Sequence, residues 1–346
     1  MAMDLAEVKR HLDVISSTPD IPHYFRLIPY SRKGGFDQER NQFIVFLKPE
    51  CFSASWKNII ELLLKKLNSF DVQIEGASLI SSAYLRKHKI IDRHYGVLNR
   101  IAREGCGACS AHAMKKAAEL YQDISKCRIL GGYQFLEEYK EFSPYSLCIL
   151  NDNLGTQKLG SGTYSIAANL FNQKILILNG FHPYQLEHLT QPGTQILALA
   201  CSSSKRWKGL RANFIGTINP QYAAVGSFRK ELFDGRHNFS LGIIDVAHNY
   251  VHISPGPLEG LFQVVRFMSD YEEQDIVPFE KTNLGAAPGL SFDENVMTLL
   301  EMNPEICIDE APIPVYDYTE DMHTVGVHDF LLRNFQNLIA GDDHVR

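Results

Sequence analysis

Residues 42–50 read Gln-Phe-Ile-Val-Phe-Leu-Lys-Pro-Glu, six uninterrupted strand-type residues stopped by a proline. A run of that length fits a buried strand. Working outward, Trp56, Ile59, Ile60, Leu63, Leu64 and Leu67 recur at i, i+3, i+4, i+7, i+8 and i+11, with Lys57, Glu61, Lys65 and Lys66 on the opposite side. That spacing predicts an amphipathic helix. Val72 and Ile74 then alternate with Gln73 and Glu75, the period of a half-buried strand. A second helix is expected with Tyr84, His88, Ile91, Tyr95 and Leu98 along one stripe. The opening of the chain therefore reads β-α-β-α.

Further along, the pattern loosens. Residues 1–40 begin with a short helix and continue as a proline- and glycine-rich arm. Regularity returns at Thr194–Cys201, a strand, followed by a helix that Ser203 or Ser204 is placed to cap. Tyr250–Ser254 reads as a strand, and Leu258, Leu261, Phe262 and Val265 as one face of a helix. Residues 272–346 are acidic and proline-spotted, with a helix near His328–Ile339. The spacing is too irregular for a doubly wound parallel sheet. The expected class is α+β: a ferredoxin-like, split βαβ antiparallel sheet with helices on one face, elaborated by an inserted segment and terminal extensions.

Composition narrows the possible partners. Of 346 residues, 45% are hydrophobic and 21% charged, the balance of a globular chain. The 34 basic and 40 acidic side chains leave a net charge of −6, so no global positive field draws in nucleic acid or a membrane. An anionic ligand would need a local cluster of Lys and Arg. The first residues lack the apolar core of a signal peptide, and the uncharged runs Ile175–Leu178 and Ile196–Cys201 are strand-sized. With seven cysteines, an odd count, reduced thiols and a cytoplasmic location are expected.

Three segments hold groups suited to phosphate chemistry. Lys48 lies at the carboxyl end of the first strand; taken alone, it is an ordinary solvated lysine. Arg211 and Arg229 bracket a turn-rich stretch containing Thr217, and a guanidinium is a planar five-donor fork that fits phosphate. His252 stands inside an alternating strand, where a histidine is more often a satisfied core residue than a nucleophile.

In order along the chain, these pieces resemble the nucleoside diphosphate kinase family. The carrying residues are Lys48-Pro49-Glu50, His94-Tyr95 with Leu98, Arg211, Gly216-Thr217-Ile218-Asn219-Pro220, Val225-Gly226-Ser227-Phe228-Arg229 and Asn249-Tyr250-Val251-His252-Ile253-Ser254. The resemblance covers roughly residues 42–101 and 181–270. It implies a phosphotransferase that moves the terminal phosphate of a nucleoside triphosphate to a nucleoside diphosphate through a phosphohistidine on His252. Lys48, Arg211 and Arg229 would supply positive charge, and either Thr217 or Ile218 takes the threonine position. Asn249 would bind the sugar, Tyr95 and Ser254 would line the histidine pocket, and Phe181 would stack on the base. Mg²⁺ would arrive with the nucleotide, and a homo-oligomer, a dimer, is expected.

The chain departs from the family pattern at several points. Pro255 stands where the family has an acidic residue, and Gln263 where a glutamate orients the histidine. Glu259, one helical turn before Gln263, is the expected substitute carboxylate. The family-like domain would span residues 41–271, interrupted by an insert at about 102–178, between an arm at 1–40 and an extension at 272–346. A catalytically impaired nucleotide-binding regulator on the same fold is the alternative. An RNA-binding module is disfavoured by the missing aromatic signature and the net charge. Cys106, Cys109 and His112 have part of a zinc-site spacing but lack a second ligand pair. Residues 155–161 (GTQKLGS) lack the Gly-Lys-Ser/Thr ending of a phosphate loop.

Overall fold

The computed structural model describes residues 3–52, 55–121, 123–170, 172–308 and 311–340. Its strands, in chain order, are β1 (Tyr24–Ile28), β2 (Asn41–Leu47), β3 (Gln73–Ser81), β4 (Arg128–Gly131), β5 (Gln157–Gly160), β6 (Thr163–Leu170), β7 (Gln173–Leu178), β8 (Gln195–Ser203), β9 (Val251–Ile253), β10 (Glu305–Ile308) and β11 (Ala311–Pro314). The fold is mixed α/β with largely antiparallel strand pairing, in two compact units. Within the described residues the first takes the chain up to Ile90, Leu189–Glu294 and Thr319–Gln336. The second takes Ile91–His188, Asn295–Tyr318 and the chain from Asn337 on.

The first unit is built on a five-stranded sheet in the order β1-β3-β8-β2-β9, every neighbour antiparallel. β2 and β3, joined through the helix Trp56–Ser69, have β8 between them. β8 and β9, whose connection carries the helix Phe228–Asp234, have β2 between them. Each β-α-β connection is thus split by a strand of the other. Among the described residues β9 is an edge strand, paired to β2 with His252 directly opposite Phe46.

Alternation along β2 divides the core. Phe43, Val45 and Leu47 join Ile59, Ile60, Leu63 and Leu67 of the helix Trp56–Ser69, together with Val251 and Ile253. The intervening Phe46 meets the helix Pro257–Met268, its ring 5.4 Å from that of Phe267. This helix approaches so closely that a Cβ at Gly260 would run into the Gln42 carbonyl oxygen. Helices therefore cover both faces of the sheet, not one as expected. The reason lies in β2 and β8, which are buried along their whole length and must be covered on each side.

Other expectations need correction. Residues 1–40 begin with the expected helix, Leu5–Ser17, but the stretch after it, read as an arm, contributes the edge strand β1. β3 is partly exposed over Gln73–Glu75, where the sequence alternates, but continues to Ser81, and from Gly76 on both its faces are covered. The single helix expected over Tyr84–Leu98 is broken into Ser82–Lys87, Ile90–His94 and Gly96–Glu104. Lys89 sits at φ +49°, a left-handed conformation that stops an α-helix. Neither Ser203 nor Ser204 caps a helix. β8 runs on to Ser203, whose hydroxyl accepts the Lys205 N–H at 3.2 Å, and the next short helix, Trp207–Gly209, starts after Arg206.

The second unit has its own four-stranded sheet, β4-β7-β6-β5, with β4 parallel to β7 and the other pairs antiparallel. Ile175 and Ile177 pack with Phe135 and Leu147, while Leu176 and Leu178 pack with Ile101, Ala113 and Ala117. Buried on both faces, this sheet again carries helices on each side. Among the described residues, no helix is long and apolar enough to cross a membrane.

Candidate active site

Nine of the candidate site residues fall in the first unit: Lys48, Arg211, Thr217, Arg229, Asn249, His252, Ser254, Glu259 and Gln263. Lys48 follows β2 directly and is buried. Its N–H donates to the Tyr250 carbonyl at 3.0 Å, and its own carbonyl accepts the Cys51 N–H at 3.0 Å as Pro49 opens a 3₁₀ turn. Tyr250, just before β9, has φ +68°, unusual for a bulky residue. The Glu50 carboxylate holds it there by accepting its N–H at 3.0 Å. Burial lowers the pKa of the Lys48 ammonium, the Glu50 charge opposing and the Arg229 charge reinforcing the shift.

His252 is half-buried, its ring stacked on Phe46 at 4.6 Å and 18°. Directly opposed residues of an antiparallel pair point to the same face, so His252 looks towards the helix Pro257–Met268. There the Gln263 Oε1 lies 3.0 Å from His252 Nε2 and accepts the Ser254 hydroxyl at 2.6 Å. Ser254 in turn accepts the Ile44 N–H at 2.9 Å, so its own hydrogen is available to Gln263. An oxygen that only accepts requires the proton on Nε2 and assigns Nδ1 as the basic nitrogen. Burial pushes the imidazole pKa down to about 3; the Gln263 hydrogen bond opposes this, and the charges of Lys48, Arg229 and Arg211 add to it. The ring is a neutral base in a positive field.

The two arginines are held differently. Arg229 is buried and donates to the Gly216 carbonyl at 2.8 Å and the Val251 carbonyl at 2.6 Å, tying the turn at 216 to the start of β9. Gly216 is at φ +99°, and a Cβ there would sit 2.6 Å from the Ser227 hydroxyl, so only glycine fits. Arg211 lies in the π-helical turn Leu210–Ile215, closed by the Gly216 N–H on the Arg211 carbonyl at 3.0 Å. Its guanidinium donates to Glu320 Oε1 at 3.0 Å and Asp321 Oδ1 at 2.8 Å.

Thr217 is exposed, its hydroxyl on the Asn219 carbonyl at 3.2 Å. Asn249 is buried; its amide donates to the Val246 carbonyl at 3.0 Å, while its Oδ1 is buried without a hydrogen bond from the described residues. Glu259 lies in the first turn of the Gln263 helix, with Oε2 3.3 Å from where a Gly256 Cβ would be. Tyr95 and Phe181 belong to the second unit. There the Tyr95 ring lies 6.1 Å from His182 and 4.3 Å from His94, and Phe181 packs edge-on against Tyr164 at 5.6 Å. Phe46, Glu320 and Asp321 were not singled out in the sequence. Phe46 could have been found from the register of β2 and β9. The acidic pair carries no local signal, since it meets Arg211 across 109 and 110 residues. Among the described residues, no three His, Cys, Asp or Glu side chains come together in a way that could hold a metal ion.

No family model matches the chain, and no curated protein matches it in sequence. Solved structures to which it is distantly similar include nucleoside diphosphate kinases. One, an NDP kinase from Pyrobaculum aerophilum, is 13% identical with a TM-score of 0.34 over 68% of this chain and 98% of that one. The Aquifex aeolicus nucleoside diphosphate kinase, in an orthorhombic crystal form, is 13% identical with a TM-score of 0.31 over 69% and 99%. The Borrelia burgdorferi enzyme, a transition state mimic with bound vanadate and ADP, is 9% identical with a TM-score of 0.32 over 70% and 93%.

Proposed function

We propose that the chain is a phosphotransferase on a ferredoxin-like sheet, moving the terminal phosphoryl group of a nucleoside triphosphate to a nucleoside diphosphate through His252. The observation that carries this reading is the neutral imidazole, tied through Nε2 to Gln263 and set among the charges of Lys48, Arg211 and Arg229. Nδ1 attacks the terminal phosphorus, and the bond to the bridging oxygen breaks with its electron pair leaving on the diphosphate. The imidazole now carries the phosphoryl group, and the Nε2 proton stays on the Gln263 hydrogen bond. A phosphate oxygen of the acceptor diphosphate then attacks, the P–N bond breaks, and the neutral imidazole returns.

Charge spreads over the phosphoryl oxygens in both steps, so nearby cations do most of the work. Mg²⁺ bound to the polyphosphate would neutralise part of the same charge. The buried Oδ1 of Asn249 suits a sugar hydroxyl as donor, since an unmatched buried acceptor costs about 1–3 kcal/mol. Thr217 would reach phosphate oxygens, and Ser254 would line the pocket. Glu259 would supply the carboxylate that Gln263 lacks. In domain terms, residues 41–271 would form the kinase-like body, with the 102–178 segment as its insert and 1–40 and 272–346 as extensions. A homodimer goes with this reading, supported by exposed Ile218, Tyr222 and Val225. A monomer in light scattering at micromolar concentration would refute that part.

A second reading, a nucleotide-binding regulator with impaired transfer, is favoured by the neutrality of Gln263. One measurement separates the two. Incubation with γ-labelled ATP should put acid-labile, alkali-stable label on the protein, and His252→Ala should abolish it. Label that survives in His252→Ala removes His252 from the chemistry. Absence of label in the parent, with nucleotide binding intact, selects the regulator.

A further inference from the structure

The C-terminal segment of the first unit lies against the histidine loop. The Asp321 N–H approaches the Pro255 carbonyl at 3.4 Å, and a Cβ at Gly256 would meet the Thr319 carbonyl oxygen at 3.2 Å and Glu320 Cα at 3.6 Å. The segment is anchored just beyond. The Thr324 N–H and hydroxyl both donate to Asn41 Oδ1, each at 3.0 Å, with His323 Nδ1 2.8 Å from the same oxygen, at the first residue of β2. Thr319 is fully buried, and Asp321 is held at φ +64°. The result is a fixed acidic turn whose two carboxylates share one guanidinium nitrogen of Arg211. Two adjacent carboxylates present a double negative charge and several acceptor oxygens, much as a phosphoryl group does.

We propose that the Glu320–Asp321 turn is a built-in competitor for Arg211, holding the guanidinium until a polyphosphate displaces it. The inference rests on the reading of Arg211 as a phosphate ligand and adds a regulation to that site. A ligand that must displace an internal occupant binds with an affinity reduced by the fraction of time the site stands open. An occupant in place nine-tenths of the time weakens binding about tenfold. Removing the two charges should restore that factor while leaving the turn intact, since Asn tolerates the left-handed conformation that Asp321 adopts. Anything that drew the segment from 319 to 324 off Asn41 would act in the same direction.

The test is calorimetric titration of the full chain with Mg²⁺ and AMP-PNP, whose terminal phosphoryl group is not transferred. The parent is compared with Glu320→Gln/Asp321→Asn, the same pair combined with Arg211→Gln, and Lys48→Gln. The competitor predicts tightening by about tenfold or more in the double variant, lost when Arg211 is also replaced. Equal affinity in parent and double variant, with Lys48→Gln weakened, overturns the competitor and leaves the nucleotide reading standing. Weaker binding in the double variant also overturns it, and makes the acidic pair a support that orients Arg211. No binding by any form overturns the nucleotide reading and the competitor together.

Discussion

On one face of β2, Phe43, Val45 and Leu47 sit in a core of apolar side chains from the helix Trp56–Ser69. On the other, Phe46 stacks on His252, and Gln263 reaches in to hold His252 and Ser254. Both faces are covered by a helix at close range, yet they obey different rules. The apolar face can be refilled by any side chains of similar volume at small cost. The polar face has no such latitude, because a buried donor or acceptor that loses its partner is left with a full desolvation penalty. A sheet that needed only stability would be apolar on both sides. On the proposed reading, the polar cluster serves the transfer chemistry.

The contrast can be broken by substitution. Leu63→Ala, deep in the apolar face, should cost about 2–5 kcal/mol of stability in urea unfolding and leave AMP-PNP affinity within twofold of the parent. A large change in affinity would mean that the two faces are coupled. Gln263→Leu should cost less, about 1–3 kcal/mol, by leaving His252 Nε2 and the Ser254 hydroxyl without their acceptor. If it is neutral, the polar network is dispensable and the contrast drawn above fails.

Smaller effects sharpen the comparison. Glu259→Gln should slow single-turnover phosphorylation of His252 by about tenfold, while Gln263→Glu should leave it unchanged or speed it, as expected if a carboxylate steadies the developing imidazolium. A Glu259→Gln rate equal to the parent's would leave Gln263 as the sole orienting group. The last effect is one of pH. His252 has a folded pKa below its unfolded value of 6.5, so the unfolded chain takes up a proton that the folded chain refuses. Stability contributed by keeping the ring neutral is present above about pH 6.5 and falls as the pH drops towards the folded value of about 3. His252→Asn should flatten that part of the stability profile, whereas Leu63→Ala should lower the whole curve without changing its slope.

The apolar face was almost entirely legible in the sequence, because a 3.6-residue period against a short strand run leaves one arrangement. The strand Gln42–Leu47 and the helix from Trp56 were found within a residue or two of their ends, and the helix from Pro257 within three. The second face was hidden, since a strand buried on both sides shows no alternation, as β3 illustrates. The break at Lys89 was missed because a lysine at positive φ leaves no mark in the periodicity. For the site, the resemblance to a family, and not any local pattern, grouped Lys48, Arg229, Asn249, His252, Ser254 and Gln263, which fall in one unit. Hydrogen bonds between distant segments could not be read this way, and the contact of Arg211 with Glu320 and Asp321 is the plainest case.

That contact also has a history within each molecule. Arg211 is synthesised 109 residues before Glu320. At about 5–20 residues per second, the nascent chain holds its arginine for roughly 5–20 s before the ribosome has made the carboxylates that will face it. The contact of Arg211 with Glu320 and Asp321 is therefore among the last that the first unit can form.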